Sequence, residues 1–265
     1  MKMSTPVGDT IELHYQPVID RAGAAVGLEA LMRWHHRQRG SISPEAFIPI
    51  FEDSGLIVPL SRWALTQACH DAATWDHSLV VAVNLSPRQF FEEDLAQLVS
   101  NVLAETGLPA ERLELDLTGA ALIHDPEGAL SILSTLSRAG VRLALDDFGI
   151  GRTSQTDLTH YPFSKVKIDT SIIAHLEESN SARRLVAMIT ELGHSLGLVV
   201  AAEGVETEAQ LQYLRAQGCD VMQGYLLGRP GPVEDFVAYT GVAVSGAAAV
   251  LDGWQQNFEQ TAGYR

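Results

Sequence analysis

Short runs of aliphatic and β-branched residues alternate along this chain with longer stretches whose apolar residues recur at helical spacing. Apolar runs of about four to eight residues, bounded by turn-forming residues, are typical of buried strands. The sequence therefore predicts eight strands, at residues 13–18, 27–33, 80–85, 113–118, 142–147, 165–169, 198–203 and 221–227.

The amphipathic stretches between these strands predict helices, and the residues at their ends agree. Gly140, Gly197 and Gly218 each follow a stretch of helical spacing and precede a strand, where glycine commonly ends a helix. Pro44 and Pro126 each follow a capping residue, the position that proline favours in a first helical turn. The predicted helices cover residues 44–54, 60–75, 94–106, 126–139, 181–196, 208–217 and 232–239.

Repeated strand–helix units favour a closed α/β barrel of the TIM-like (β/α)8 type over an open sheet. Only residues 20–23 separate the first two strands, which is too short for a crossover helix. The first strand is therefore predicted to be antiparallel, in a hairpin with the second. We expect one barrel domain over residues 1–241 and a tail over 242–265. In that tail, Trp254 and Phe258 are spaced to form one face of an extra helix that packs on the domain.

Composition narrows the function. The chain has 265 residues and a formal net charge of −15, which argues against binding to duplex nucleic acid. Cys69 and Cys219 are far apart in sequence, so we expect a reducing, cytoplasmic setting without a disulfide framework. Residues 1–6 do not resemble a signal peptide, and the longest apolar stretch, 241–251, is too short to span a bilayer. Direct membrane insertion is therefore not expected.

Polar residues occur where the predicted strands end, which is where βα barrels carry their chemistry. A single strand-end aspartate is more often a helix cap, and a lone buried lysine is more often half of an ion pair. Here many such residues occur together, which favours a functional site. The set consists of Glu29, Asn84, Asp116, Asp146, Asp147, Lys167, Asp169, Glu203, Glu206 and Gln223.

Carboxylates gathered at one barrel mouth stay ionised only beside cations. Oxygen ligands without a histidine or cysteine cluster suit hard ions such as Mg²⁺, Mn²⁺ or Ca²⁺. The adjacent Asp146 and Asp147 could hold two metals about 3.5–4 Å apart, the arrangement used in phosphodiester cleavage. With a lysine to orient water and a glutamate to accept its proton, the pattern indicates metal-assisted hydrolysis of a phosphate ester. The adjacent His35 and His36 are interpreted as solvated loop residues rather than ligands.

Eight ordered motifs between Tyr15 and Pro230 resemble the EAL domain family, whose members hydrolyse or sense cyclic di-GMP. A lone Glu-Ala-Leu triplet would carry no weight, but eight motifs at barrel-like spacing do. The motifs are Tyr15-Gln16-Pro17, Glu29-Ala30-Leu31 with Met32-Arg33-Trp34, Ser43-Pro44 with Phe47-Ile48-Pro49, Asn84-Leu85-Ser86, Asp146-Asp147-Phe148-Gly149, Lys167-Ile168-Asp169, Ala202-Glu203-Gly204-Val205-Glu206 and Gln223-Gly224-Tyr225.

The resemblance implies a role for each matching residue. Lys167 would position the attacking water, and Glu203 would be the general base. Arg33 would grip a phosphate of cyclic di-GMP, although a strand-end salt bridge is the alternative for this residue. The implied metal ligands, for two Mg²⁺ or Mn²⁺ ions per site, are Glu29, Asn84, Asp116, Asp146, Asp147 and Glu206. The implied residues for binding cyclic di-GMP are Gln16, Leu31, Arg33, Asp169 and Gln223.

Three departures from the family pattern bear on turnover. Asp116 stands where the family usually has glutamate, and Gly119 replaces a glutamate that secures the loop after Asp147. In that loop, Ile150 and Arg152 replace the usual threonine and tyrosine. Because small misplacements in a reacting constellation reduce rate strongly, catalysis should suffer more than ligand binding.

Three hypotheses therefore stay open. The favoured one is a phosphodiesterase that opens cyclic di-GMP to linear pGpG. The second is a receptor that binds cyclic di-GMP with little turnover, and the third is an interaction barrel that binds no nucleotide. By analogy with related barrels, we also expect a homodimer. Two alternatives stay open for the rest of the protein: a stand-alone chain, or a longer one with a fused or associated sensor or cyclase domain.

Overall fold

A computed structural model describes residues 3–4, 9–75, 79–92, 94–123, 125–150 and 155–241. The predicted tail over 242–265, with Trp254 and Phe258, lies outside these residues, as does Arg152. The extent of the domain, 1–241, stays a prediction.

The described residues form ten strands in one sheet. The strands are β1 (Met3–Ser4), β2 (Thr10–Asp20), β3 (Ala25–His36), β4 (Gly40–Ile42), β5 (Val80–Asn84), β6 (Leu113–Thr118), β7 (Arg142–Phe148), β8 (Lys165–Ile168), β9 (Val199–Ala202) and β10 (Val221–Met222). All eight predicted strands are present, and the two additional ones, β1 and β4, are too short to give a sequence signal.

Eight of these strands close into a barrel. The order runs β2-β10-β9-β8-β7-β6-β5-β3, and pairing between β2 and β3 closes the circle. β2 is antiparallel to both of its barrel neighbours, β3 and β10, whereas the other seven strands run parallel to one another. The predicted TIM-like barrel with an antiparallel first strand is therefore confirmed.

The turn between β2 and β3 explains the reversal. The amide of Gly23 donates to the carbonyl of Asp20, and the amide of Ala24 donates to the Asp20 side chain at 2.8 Å. Gly23 has a φ of +93°, which residues with a Cβ rarely adopt. This compact turn leaves no room for a helix, so the chain reverses directly.

Eleven α-helices and two 3₁₀ segments surround the barrel in the described residues. Of the predicted helices, 44–54 and 208–217 have the predicted bounds, and 232–239 divides into a 3₁₀ turn and α11. Four short helices in the βα loops were missed because each has too few residues to show a helical period. The α-helices are α1 (Pro44–Ser54), α2 (Ile57–Ala73), α3 (Pro87–Glu92), α4 (Leu95–Thr106), α5 (Ala120–Ile123), α6 (Pro126–Arg138), α7 (Gln155–His160), α8 (Thr170–Ala174), α9 (Asn180–Ser195), α10 (Glu208–Gln217) and α11 (Val237–Thr240), and the 3₁₀ segments are Ala110–Arg112 and Val233–Phe236.

Strand alternation separates an apolar outer layer from a polar barrel interior. On β6, Leu113, Leu115 and Leu117 are fully buried in the core between the barrel and the helices. The intervening Glu114 and Asp116 belong to the opposite face and are also buried. Since successive side chains of a strand point to opposite faces, the same short segments supply both the core and the site.

The predicted strand 221–227 is wrong in its second half, since β10 ends at Met222. The chain turns at Gly224, whose carbonyl accepts hydrogen bonds from the amides of Leu227 and Gly228, both at 3.0 Å. A Cβ at Gly224 would collide with the backbone of Val205. Close backbone approach, which side-chain patterning does not report, therefore ends the strand early.

We expect Gly224→Ala to lower the free energy of unfolding by about 3 kcal/mol, because the backbone of Val205 cannot move aside as a flexible side chain could. Gly197→Ala is the matched control. Gly197 has a φ of +74° and no atom within 4 Å of an added Cβ, so only backbone strain of about 1 kcal/mol should result. Urea unfolding measures both variants, and equal losses would contradict the steric account.

Candidate active site

All eight barrel strands bring a polar side chain to one end of the barrel. Most of the parallel strands contribute a residue near or just after their carboxyl ends. The two long strands of the hairpin, β2 and β3, contribute residues from within the strand, and Glu29 lies near the end of the segment in which β3 pairs with β5. The set is Gln16 from β2, Glu29 from β3, Asn84 from β5, Asp116 from β6, Asp146 from β7, Lys167 from β8, Glu203 directly after β9 and Gln223 directly after β10.

Lys167 lies at the centre of four carboxylates. Its Nζ is 2.7 Å from Asp116 Oδ2 and 2.5 Å from Glu203 Oε1. Asp146 Oδ2 is 3.5 Å away, and Glu29 Oε1 is 3.9 Å away. The lysine side chain is only 5% exposed. Burial alone would lower the pKa of Lys167, but the surrounding carboxylates outweigh it and raise the pKa well above its usual value. The carboxylates around it therefore favour the charged ammonium form of Lys167.

Glu29 is fixed by amide side chains. Asn84 Nδ2 donates to Glu29 Oε1, and Gln223 Nε2 donates to Glu29 Oε2, both at 2.6 Å. Gln16, which pairs with Glu29 across the hairpin, accepts a second bond from Gln223 at 3.0 Å. Burial tends to raise the pKa of Glu29, but Lys167 and the bonds from Asn84 and Gln223 hold it below its usual value. Glu29 is therefore an ionised carboxylate in a fixed orientation.

Asp116 and Glu203 are the two carboxylates of this group whose pKa values are raised. Burial raises the pKa of Asp116 to about 7 and that of Glu203 to about 8, because Lys167 only partly offsets the desolvation and the neighbouring acids. Asp116 Oδ1 is buried and has no hydrogen-bond partner among the residues that the structure describes. One lysine is thus insufficient for four carboxylates, and additional positive charge would stabilise the site.

The Asp146-Asp147 pair has an unusual backbone. Asp147 has a φ of +54°, and no other residue except glycine has a positive φ in the described part of the chain. Its amide donates to Asp146 Oδ1 at 2.8 Å, and its side chain is hydrogen-bonded with Asp169. Burial, followed by the charges of Asp146 and Asp169, raises the pKa of Asp147 to about 6. Strained conformations of this kind cluster at functional sites.

The residues expected to bind ligand differ in how closely they join this cluster. Asp169 adjoins Asp147 but also caps α8, accepting from the amide of Ser171 at 2.8 Å. Arg33 is half-buried and donates to the carbonyl of Met32 at 2.9 Å. Burial lowers the pKa of Arg33, despite opposing effects of Tyr225, Glu29 and Glu45. Within the part of the chain that the structure describes, no carboxylate forms an ion pair with Arg33. The alternative prediction for this residue, a salt bridge at the strand end, is therefore not observed among these residues.

Two further residues lie away from the centre. Leu31 continues the face of β3 that carries Glu29 and is half-buried. Glu206 is exposed, and its backbone amide donates to Gln210 Oε1 at 2.8 Å. The structure thus places Glu206 on the β9–α10 loop rather than in the cluster, and its metal-binding role stays a prediction.

A second ion pair below the cluster was missed from sequence. Lys165 Nζ lies 2.5 Å from Glu114 Oε1, and both side chains are largely buried. The alternation of Glu114 with Asp116, and of Lys165 with Lys167, is the signal that could have identified it. Two lysines on β8 therefore face two carboxylates on β6.

The donor atoms at the mouth are of the types that a divalent cation prefers. Glu29, Asn84, Asp116 and Asp146 offer carboxylate and amide oxygens without imidazole or thiol, the donor set that Mg²⁺ and Mn²⁺ prefer. The unpartnered Asp116 Oδ1 and the excess of carboxylates over lysine agree with such an ion. These four residues would hold it.

The sequence of this chain is similar to those of a known family and of several known proteins. The model of the EAL domain family matches residues 5–230. An uncharacterized signaling protein of Caulobacter vibrioides is 46% identical over 238 residues, which is 89% of this chain and 29% of the relative. The bifunctional diguanylate cyclase/cyclic di-GMP phosphodiesterase MucR of Pseudomonas aeruginosa is 42% identical over 231 residues, 85% of this chain and 34% of the relative.

A solved structure of the PaMucR phosphodiesterase in complex with c-di-GMP is 41% identical, with a TM-score of 0.82, and the match covers 85% of this chain and 94% of that one. The chain spans about a third of the length of the two curated relatives. Among the helices in the described residues, none is both long and apolar enough to cross a bilayer.

The raised pKa values predict that stability without metal falls as pH rises. The unfolded state releases the protons of Asp116 and Glu203 near pH 4, whereas the folded state keeps them to about pH 7 and 8. The stabilising contribution is thus complete at low pH and lost as pH rises through these values. Urea unfolding in EDTA between pH 5 and 8.5 should show this decline, and Glu203→Gln should reduce the slope. An unchanged slope in the variant would contradict the assignment.

A bound divalent metal should offset the loss of stability at high pH. We expect saturating Mn²⁺ to raise the free energy of unfolding by about 3 kcal/mol at a hundredfold excess over Kd, measured by urea unfolding at pH 8. Asp146→Asn should remove most of the gain. The exposed Glu178→Gln should keep it and serves as the control. Equal stabilisation of both variants would place the ion elsewhere.

Proposed function

This chain belongs to the EAL domain family, and from that membership and its active-site geometry we propose that it hydrolyses cyclic di-GMP to linear pGpG. The observation that carries the proposal is the contact of Lys167 Nζ with Glu203 Oε1 at 2.5 Å, inside a ring of cation-binding oxygens. A module that only binds nucleotide has no need for a buried lysine beside a glutamate of raised pKa. General acid–base catalysis uses groups of perturbed pKa that are held in fixed positions, and this pair is of that kind.

Glu203 would accept the proton of the attacking water. Its side chain is 19% exposed, more than those of the other three carboxylates around Lys167, so water can reach it. To act as a base it must be ionised, and a nearby divalent cation would favour that state. Bound Mg²⁺ or Mn²⁺ would also lower the pKa of a water and neutralise charge on the phosphate. Lys167 keeps its proton and orients the water through a hydrogen bond.

Ligand capture depends on few positive groups, because both the mouth and the nucleotide are anionic. Arg33 uses one nitrogen on the carbonyl of Met32 and keeps the remaining guanidinium donors for a phosphate. Gln223 donates hydrogen bonds to Glu29 and to Gln16, and Gln16 in turn donates to the carbonyl of Gly228. This chain of hydrogen bonds holds Glu29 in place. We propose that Asp169, beside Asp147, and Leu31, beside Glu29, complete the ligand contacts.

A receptor without turnover is the second candidate, and Asp116 is the observation that favours it. Oδ2 of this aspartate, which is one methylene shorter than the usual glutamate, is bound to Lys167 at 2.7 Å. This contact makes that oxygen less available to a metal and the ammonium less available to a water. Gly119 offers no side chain to secure the loop after Asp147. Either feature reduces catalysis more than affinity.

Chromatography of cyclic di-GMP incubated with the protein and Mg²⁺ or Mn²⁺ separates these functions. We expect linear pGpG, with a rate about 10³-fold lower in Glu203→Gln, because that change removes only the proton acceptor. Glu191→Gln, at an exposed position of α9, is the matched control and should keep full activity.

Calorimetry with the same nucleotide completes the test. Binding without turnover would establish the receptor, and Asp116→Glu should then raise the rate if the missing methylene is the limitation. No binding and no turnover would leave an interaction barrel. The homodimer, a flanking sensor or cyclase domain and a cytoplasmic location stay predictions for the whole protein.

A further inference from the structure

A second group of potential metal ligands lies on the β2–β3 hairpin, outside the cluster around Lys167. The group consists of Glu12 and His14 on β2 and His35 on β3. Glu12 Oε1 is 3.2 Å from His14 Nε2 and 2.9 Å from His35 Nε2. One donor atom from each residue lies within 4.8 Å of the other two. His35 is thus part of a strand and of a three-residue cluster, so its placement in a loop is wrong, although its side chain is 40% exposed.

The ladder between β2 and β3 fixes this arrangement. Glu12 pairs with Arg33, and His14 pairs with Leu31, in regular antiparallel register. Glu12 and His14 are two residues apart on one strand, and His35 is two residues beyond Arg33 on the other. All three side chains therefore emerge on one face, with Glu12 and His35 as diagonal neighbours.

That face is continuous with the active-site mouth. Gln16 and Glu29 pair further along the same ladder and belong to the cluster around Lys167. β3 pairs with β5 only over Gly27–Ala30, whereas its pairing with β2 continues to His35. The hairpin thus extends past the barrel, and it carries the second group beyond the mouth.

We propose that Glu12, His14 and His35 form a zinc-binding site. Two imidazoles and one carboxylate are the protein ligands of several catalytic zinc sites, and imidazole favours borderline metals over Mg²⁺. In tetrahedral zinc with bonds of about 2.0–2.1 Å, neighbouring ligand atoms lie roughly 3.3 Å apart. The observed separations from Glu12 Oε1, 2.9 and 3.2 Å, are close to this value, and the donor atoms of His14 and His35 lie within 4.8 Å of each other.

The exposure of the three residues leaves a coordination position open. Glu12 and His14 have side chains that are 15% and 21% exposed, and His35 is 40% exposed. The ligands are therefore held by the strand ladder while one side faces solvent. The site differs in donor chemistry from the oxygen cluster at the mouth, so the two should select different metals, and this inference does not rest on the proposed hydrolysis.

The experiment uses the intact chain, stripped of metal and supplied with excess Mg²⁺ to occupy the oxygen cluster. Zinc is then titrated while the ¹⁵N resonances of the nine histidine side chains are recorded. We expect two imidazoles, those of His14 and His35, to change at one equivalent of zinc. The His35→Gln variant identifies its own resonance by loss and should bind zinc at least about tenfold more weakly by calorimetry.

His194→Gln is the matched control. His194 Nε2 also contacts a carboxylate, Asp220 Oδ2 at 2.9 Å, but that pair is not part of a three-ligand group in the described residues. Zinc affinity should be unchanged in this variant. Zinc-induced shifts at other histidines, equal affinity in His35→Gln, or no binding would each overturn the site and leave Glu12 as a hydrogen-bond acceptor for two rings. Because the spectra of the unsubstituted chain report binding directly, misfolding of a variant cannot hide the result.

Discussion

The barrel interior places a cation inside a ring of acids, and the rest of the site follows from that constraint. Lys167 is buried among Glu29, Asp116, Asp146 and Glu203. Removing charges from water is expensive unless they are paired, and a single ammonium cannot compensate four carboxylates. Two of those acids therefore take up protons near neutral pH, and the site as a whole attracts a second positive charge. The excess of carboxylates over lysine is thus a property of the folded barrel itself.

The reversed first strand serves this arrangement. Because β2 and β3 form a hairpin that extends past the barrel, the middle of β2 lies at the mouth, where Gln16 pairs with Glu29 and accepts a hydrogen bond from Gln223. The same reversal lets the hairpin continue beyond the barrel, where one face of it packs against α1 and α2 through Ile11 and Trp34. A parallel strand would have required a crossover, which the few residues between β2 and β3 cannot supply.

The sequence predicted the parts of this structure that depend on strand periodicity. Asn84, Asp116, Asp146 and Lys167 were predictable because several apolar strands of one barrel rarely all end on polar residues unless those residues share a site. The same alternation contained Lys165, but a lysine deeper in a strand is easily taken for a surface residue when the barrel is not yet built.

Features that depend on backbone proximity were not predictable. The end of β10 depends on how closely Gly224 approaches Val205, and Asp147 has a left-handed backbone that no composition rule indicates. The exposed position of Glu206 depends on the β9–α10 loop. His35 joined Glu12 only because the strand register brought them together across the hairpin. Cross-strand neighbours of this kind require the pairing itself.

The pair of Glu114 and Lys165 has a consequence for the barrel interior below the site. Both residues line the same small internal cavity as Asp116, Lys167 and Glu203, and they are bonded to each other. Loss of either side chain would therefore leave the other as an unpaired, largely buried charge beside the cluster around Lys167.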